Sequence, residues 1–116
     1  MKRSILLAFL LVAPATAFAD DSQVLHTKMQ ALMDAVALGD RATWIATLDK
    51  RFVQIDENGV RYDFGQSVAQ VTPLPKGASG DIKVVEWKTA IFGDSAVSTH
   101  LDDEHENFHG QKLHAL

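Results

Sequence analysis

The densest chemistry in this sequence is a run of imidazoles and carboxylates close to its last residue. His100, Asp102, Asp103, Glu104, His105, Glu106, His109 and His114 fall within fifteen residues. Imidazole and carboxylate together suit zinc, copper or nickel, with an affinity that falls as the imidazoles protonate. Successive side chains of a strand point to opposite faces, and that alternation sorts the group. His100, Asp102, Glu104 and Glu106 then share one face, and Asp103, His105 and His109 share the other. Neither set has a recognised ligand spacing, and a solvated acidic hairpin accounts for the run without a metal. The expectation is no metal and no cofactor.

Aromatic residues form the second candidate group. Trp44, Phe52, Trp87 and Phe92 could line a pocket for a small apolar or amphipathic ligand. In so small a domain aromatics also serve as core, Trp44 above all. The sequence holds no Gly-rich phosphate loop, Ser-His-Asp spacing or nucleotide fingerprint. It also has no cysteine. Thiol nucleophiles, Cys-based zinc sites and disulfide staples are thereby excluded.

Periodicity supplies the elements that must position these groups. Leu25, Met29, Leu32, Met33 and Val36 follow the 3–4 spacing of one helix face, with Ser22 as the N-cap and Gly39 as the terminator. Asp40 is placed to cap a shorter helix carrying Trp44, Ile45 and Leu48. Arg51–Ile55 and Val60–Tyr62 form a hairpin around Asp56-Glu57-Asn58-Gly59. Residues 63–71 make a short helix, and 72–80, with two prolines and two glycines, a loop. Residues 82–92 and 95–108 pair as a long hairpin across Gly93-Asp94. A further strand starts at Gln111, after a His109-Gly110 turn, and is still alternating at Leu116. An end in mid-strand leaves an open edge.

The first residues read as an export signal. Met-Lys-Arg-Ser precedes nine apolar residues, Ile5 to Ala13. As a helix these rise about 14 Å, well short of a bilayer core of about 30 Å. Pro14 follows, and Ala17-Phe18-Ala19 offers a small-x-small cleavage site. Cleavage after Ala19 would leave one domain, residues 20–116, in the periplasm or secreted, with no membrane attachment. Losing Lys2 and Arg3 takes the formal charge from −4 to −6. An acidic surface without a basic stripe argues against nucleic-acid binding.

The order of elements resembles the NTF2-like superfamily, and within it the SnoaL-like and DUF4440 group of small exported bacterial proteins. The resemblance rests on Ala37-Leu38-Gly39-Asp40, Trp44, Phe52-Val53-Gln54-Ile55-Asp56-Glu57-Asn58-Gly59, Gly93-Asp94-Ser95-Ala96-Val97 and the stretch from Asp103 to Gln111. It implies an α+β fold in which helices pack on a curved, mostly antiparallel sheet, forming a cone with an apolar pocket that often dimerises through the sheet. That family continues through an aromatic-rich strand and a closing hairpin, which this sequence lacks. The cone is therefore expected to be incomplete at its C-terminus.

The superfamily includes ketosteroid isomerases, whose carboxylate base stands in an Asp-x-x-Gly turn. Asp56 matches that spacing and could remove a proton beside a carbonyl if desolvated. Turn chemistry alone also explains an aspartate there. The isomerases' tyrosine donor maps to Leu32, which cannot donate, leaving Tyr62, the sole tyrosine, and His26 or His100 as substitutes. The leading expectation is a non-catalytic domain that binds a small apolar or amphipathic ligand, self-associates through its sheet, or both. A lyase or isomerase with Asp56 as base is the alternative, and a truncated, functionless fragment the third.

Overall fold

The computed structural model describes residues 16–116, with side chains from Asp20 onward. Of the segment expected to direct export, residues 1–15 lie outside the described residues. The fold is α+β: α1 (Thr16–Leu38), α2 (Arg41–Thr47), β1 (Val53–Ile55), β2 (Arg61–Asp63), α3 (Phe64–Gln70), β3 (Ala78–Phe92), β4 (Ser95–Phe108) and β5 (Gln111–Ala115). Instead of one sheet there are two, both antiparallel: β1-β2, and β3-β4-β5 in that order.

Local signals end and begin the first helices. Gly39 takes φ 69°, and Asp40 N–H donates to Ala35 O at 2.8 Å while Gly39 N–H donates to Val36 O at 3.1 Å. That pair of bonds is a Schellman closure, and it needs a residue at ease in the left-handed region. A Cβ built on Gly39 would also overlap the ring of Pro73, so the space is already taken. Asp40 then caps α2 through Thr43 N–H at 3.2 Å. Asp63 and Gln66 form a capping box at the start of α3, with bonds of 2.8 and 2.9 Å.

Two boundaries differ from the sequence expectation. Helix α1 is already formed at Thr16, so Ser22 is not its N-cap. Between Pro14 and Ser22 no residue breaks a helix, and the Ser22 hydroxyl instead accepts from Trp87 Nε1–H at 3.2 Å. Strand β3 starts at Ala78 rather than Ile82, because Ala78–Asp81 pair with Phe108–His105 of β4. Long-range pairing there overrides the local glycine content.

The core sits among α1, α2 and α3. Leu32, Ala35, Trp44, Val68 and Val71 are buried, with Met29, Met33, Val36, Leu48, Phe52 and Phe64 packed around them. Trp44 Nε1–H donates to Leu32 O at 2.9 Å, which satisfies its one polar atom inside that core. Ile45, expected beside Trp44, is instead half exposed.

Helix α1 joins this cluster to the sheet by lying along the free edge of β3. Gln30 acts there as a substitute strand residue. Its Nε2–H donates to Ile82 O at 2.8 Å, and its Oε1 accepts from Val84 N–H at 2.9 Å. His26 Nε2 lies 3.2 Å from Val84 O, a contact that requires the proton on Nε2. An edge strand with unpaired N–H and C=O groups invites unwanted pairing, and these side chains occupy it. The opposite side differs: β5 pairs only with residues 104–108 of β4, leaving Ser95–Asp103 of β4 without a strand neighbour there.

A bulge between Val85 and Lys88 sets which residues look toward α1. Glu86 occupies it with φ 50°. The extra residue keeps Ile82, Val84 and Trp87 on the inner face, turned toward α1. Lys83, Lys88, Val97 and Leu101 face away.

Candidate functional site

Three groups of side chains could carry chemistry, and the fold sorts them differently from the sequence. The first is the β1–β2 turn. Asp56 Oδ1 accepts from Asn58 N–H at 2.9 Å and Val60 N–H at 2.8 Å, and Tyr62 Oη–H donates to its Oδ2 at 2.9 Å. The fold therefore does bring Asp56 and Tyr62 together. The Val60 N–H and the Tyr62 hydroxyl hold the Asp56 carboxyl below the usual carboxylate range despite some desolvation. The same bond raises the Tyr62 phenol. Both shifts run against proton abstraction, since a useful base needs a raised carboxyl near the working pH. The geometry is that of an Asx turn with its carboxylate fully engaged.

The second group is the inner face of the long hairpin. His26 from α1, Trp87 from β3 and His100 from β4 stack in a column, with centroids 5.1 and 5.8 Å apart and planes 27° from parallel at each step. His100 Nε2 stands 3.2 Å from Asp102 Oδ1, while its Nδ1 is buried and unpartnered. Below the column, Asp102, Glu104 and Glu106 continue along the same face, as alternation implies. Burial, then the hydrogen bond and charge of Glu106, push the Glu104 carboxyl above its ordinary range, with Asp102 adding to the repulsion.

Beside this row lies a cleft between the last turns of α1 and the sheet. Val36, Ala37, Leu74 and Ile82 form its apolar walls, and Glu104 and Glu106 close it. The two glutamates also border a shallower trough that continues to Leu113 and Ala115 on β5. An apolar wall ending in convergent polar groups is the usual composition of a small-molecule site.

The four aromatic pocket candidates do not share this surface. Trp44 and Phe52 meet edge-to-face in the core, 6.4 Å apart. Trp87 is in the histidine column, and Phe92 is 66% exposed at the end of β3. Their types were legible as core or pocket, but the distances between them depend on which element each one joins.

The third group is on the outer face of β4 and β5. Asp103, His105 and His114 offer ligand atoms within 4.8 Å of one another. His109, which alternation placed with Asp103 and His105, is instead in the β4–β5 turn with φ 49°, its ring against Gly77. His114 takes its place because β5 returns it directly opposite His105. The signal for this was available in part: a two-residue His109-Gly110 turn sets the pairing register.

Among the described residues no helix is long and apolar enough to cross a membrane. Comparison with protein-family models, with curated proteins and with solved structures finds no match.

Proposed function

We propose that this chain is an exported, NTF2-like binding domain of the SnoaL-like and DUF4440 type, non-catalytic, whose ligand is a small amphipathic molecule held on the inner face of its long hairpin. The observation that carries this reading is the cleft walled by Val36, Ala37, Leu74 and Ile82 and closed by Glu104 and Glu106. Its apolar part suits a short alkyl or ring group, through burial of about 25 cal/mol per Å². Its carboxylate end suits a hydrogen-bond donor or a cation, and two neighbouring acids relieve their mutual repulsion by accepting one. The half-buried column of His26, Trp87 and His100 stands further along the same face.

The test is a titration of hexylamine and, separately, hexanoate into ¹⁵N-labelled protein, followed by amide chemical shifts. Saturable shifts at Ala37, Ile82, Glu104 and Glu106 with the amine, and weaker ones with the acid, are expected. No shifts at millimolar amine, or shifts centred on Asp56, would remove the proposal.

A second reading has its own observation. Residues 95–103 of β4 lack a strand neighbour on one side, and the outer face there exposes Val97 (63%) and Leu101 (41%). An edge of that length with apolar side chains favours self-association through the sheet. Sedimentation velocity checks it: dimer that dissociates on Val97→Lys supports the reading, and monomer at about 100 µM contradicts it.

A further inference from the structure

We infer that Asp103, His105 and His114 form a binding site for one divalent transition-metal ion of zinc's kind, on the face of the sheet opposite the ligand cleft. His105 and His114 are directly opposed across β4 and β5, and Asp103 precedes His105 by two residues on the same face. Directly opposed residues on one face bring their Cβ atoms within about 5 Å, close enough for two imidazoles to share an ion. The two rings lie parallel, with centroids 4.5 Å apart and planes at 10°. Both address one atom: Asp103 Oδ1 is 2.7 Å from His114 Nε2 and 3.7 Å from His105 Nδ1.

Those separations bracket what a metal requires. With metal–nitrogen and metal–oxygen bonds of about 2.0–2.2 Å, donor atoms around one tetrahedral ion stand about 3.3 Å apart. Closing the difference needs only side-chain rotation, and neither imidazole is buried. The side chains of His105 and His114 are 53% and 56% exposed, while Asp103 is 28% exposed and better fixed. Two imidazoles and a carboxylate form a borderline donor set that suits zinc, nickel or copper in preference to magnesium or calcium. Three protein ligands leave the remaining positions to water, as in an open site. Asp81 pairs with His105 from β3 and adds negative charge nearby, while Lys83, paired with Asp103, is 3.7 Å from Asp81. An ion here would tie β5 to β4, which no side chain of the core does.

The experiment is calorimetric titration of the purified protein with zinc chloride, repeated with cobalt(II) followed by visible absorption. One equivalent is expected, with a cobalt spectrum of low coordination number. His105→Ala and His114→Ala should each weaken binding at least as much as loss of an outer-sphere partner does, about 10–100-fold. His109→Ala and His100→Ala should leave it unchanged. A zinc-dependent rise in melting temperature, present in wild type and absent in His114→Gln, is the second readout and separates lost binding from lost folding. Absence of zinc binding, or binding that survives His114→Ala and disappears in His100→Ala, overturns the assignment. The amine titration of the cleft does not depend on this result.

Discussion

The helical half and the three-stranded sheet treat their polar groups in opposite ways. Around α2, the β1–β2 turn and α3, each acid that departs from its ordinary behaviour is supplied with a donor. Thr43 serves Asp40, Arg51 serves Asp49 and Val60 N–H serves Asp56, and all three carboxyls are held low, Asp49 at about 2. On the sheet, Glu104 is surrounded by burial and by Glu106 and Asp102, and it is pushed up. The main buried cluster, Leu32, Ala35, Trp44, Val68 and Val71, belongs to the helical half, although Leu38, Ile45 and Ile55 are exposed there. On the sheet Val84 is buried, whereas Val97, Leu101 and Leu113 are exposed. A region that holds the main buried cluster and gives each shifted acid a donor is scaffold, even with the Ser67 hydroxyl buried and unpartnered in α3. A region with uncompensated acids and uncovered apolar surface has capacity left for a ligand or a partner.

The largest effect that bears on this contrast is expected from Trp44→Ala. It opens a cavity in the helical core and removes the indole bond to Leu32 O, at about 3–5 kcal/mol. Chemical denaturation reads this directly, and a loss below 1 kcal/mol would mean that the helical half is not the main stabilising body. Gly39→Ala should follow at about 1–3 kcal/mol for the left-handed backbone alone. The overlap with Pro73 adds to that cost. An unchanged melting curve in Gly39→Ala would show that the α1–α2 junction is looser than described.

Gln30→Ala probes the seam between the two halves. It leaves Val84 N–H and Ile82 O without their side-chain partners, at about 1–3 kcal/mol. Hydrogen exchange should speed up at Val84 while the amides around Trp44 keep their protection. Equal loss of protection in both places would make the molecule one cooperative unit.

Protonation supplies the smallest and most specific effect. The raised Glu104 carboxyl favours folding when protonated, so its contribution is present below about pH 4.5 and lost as pH rises through the folded value. Glu104→Gln is therefore expected to stabilise the protein at pH 7 and to make no difference near pH 4. The depressed acids behave in the reverse sense. Their contribution is full above the ordinary carboxylate range near pH 3.8 and fades as pH falls, for Asp49 through about 2. A Glu104→Gln variant equal to wild type at neutral pH would show that the inner-face acids are not in conflict.

What could be read in advance follows the same division. The terminator at Gly39, the cap at Asp40 and the limits of β4 are local events, set by a few adjacent residues, and are legible in the sequence. The start of α1 differs from the expectation because a serine that could cap a helix need not do so when the preceding residues continue it. The extra residues at the start of β3, the bulge at Glu86 and the pairing of Gln30 with a strand edge depend on partners 11 to 54 residues away. Alternation placed Asp102, Glu104 and Glu106 on one face because it depends only on the strand itself. The trio of Asp103, His105 and His114 required knowing how β5 returns. The turn carboxylate Asp56 was legible in both of its roles, and its bonds to Val60 and Tyr62 favour the structural one.

The proposed binding surface lies on the sheet and not in the Asp56 turn. Its most direct test is hexylamine binding measured on two variants side by side, Ala37→Phe, which fills the cleft, and Asp56→Asn, which alters the turn. Ala37→Phe is expected to abolish saturable binding while Asp56→Asn leaves the Kd unchanged. Binding that survives Ala37→Phe and disappears with Asp56→Asn would contradict it.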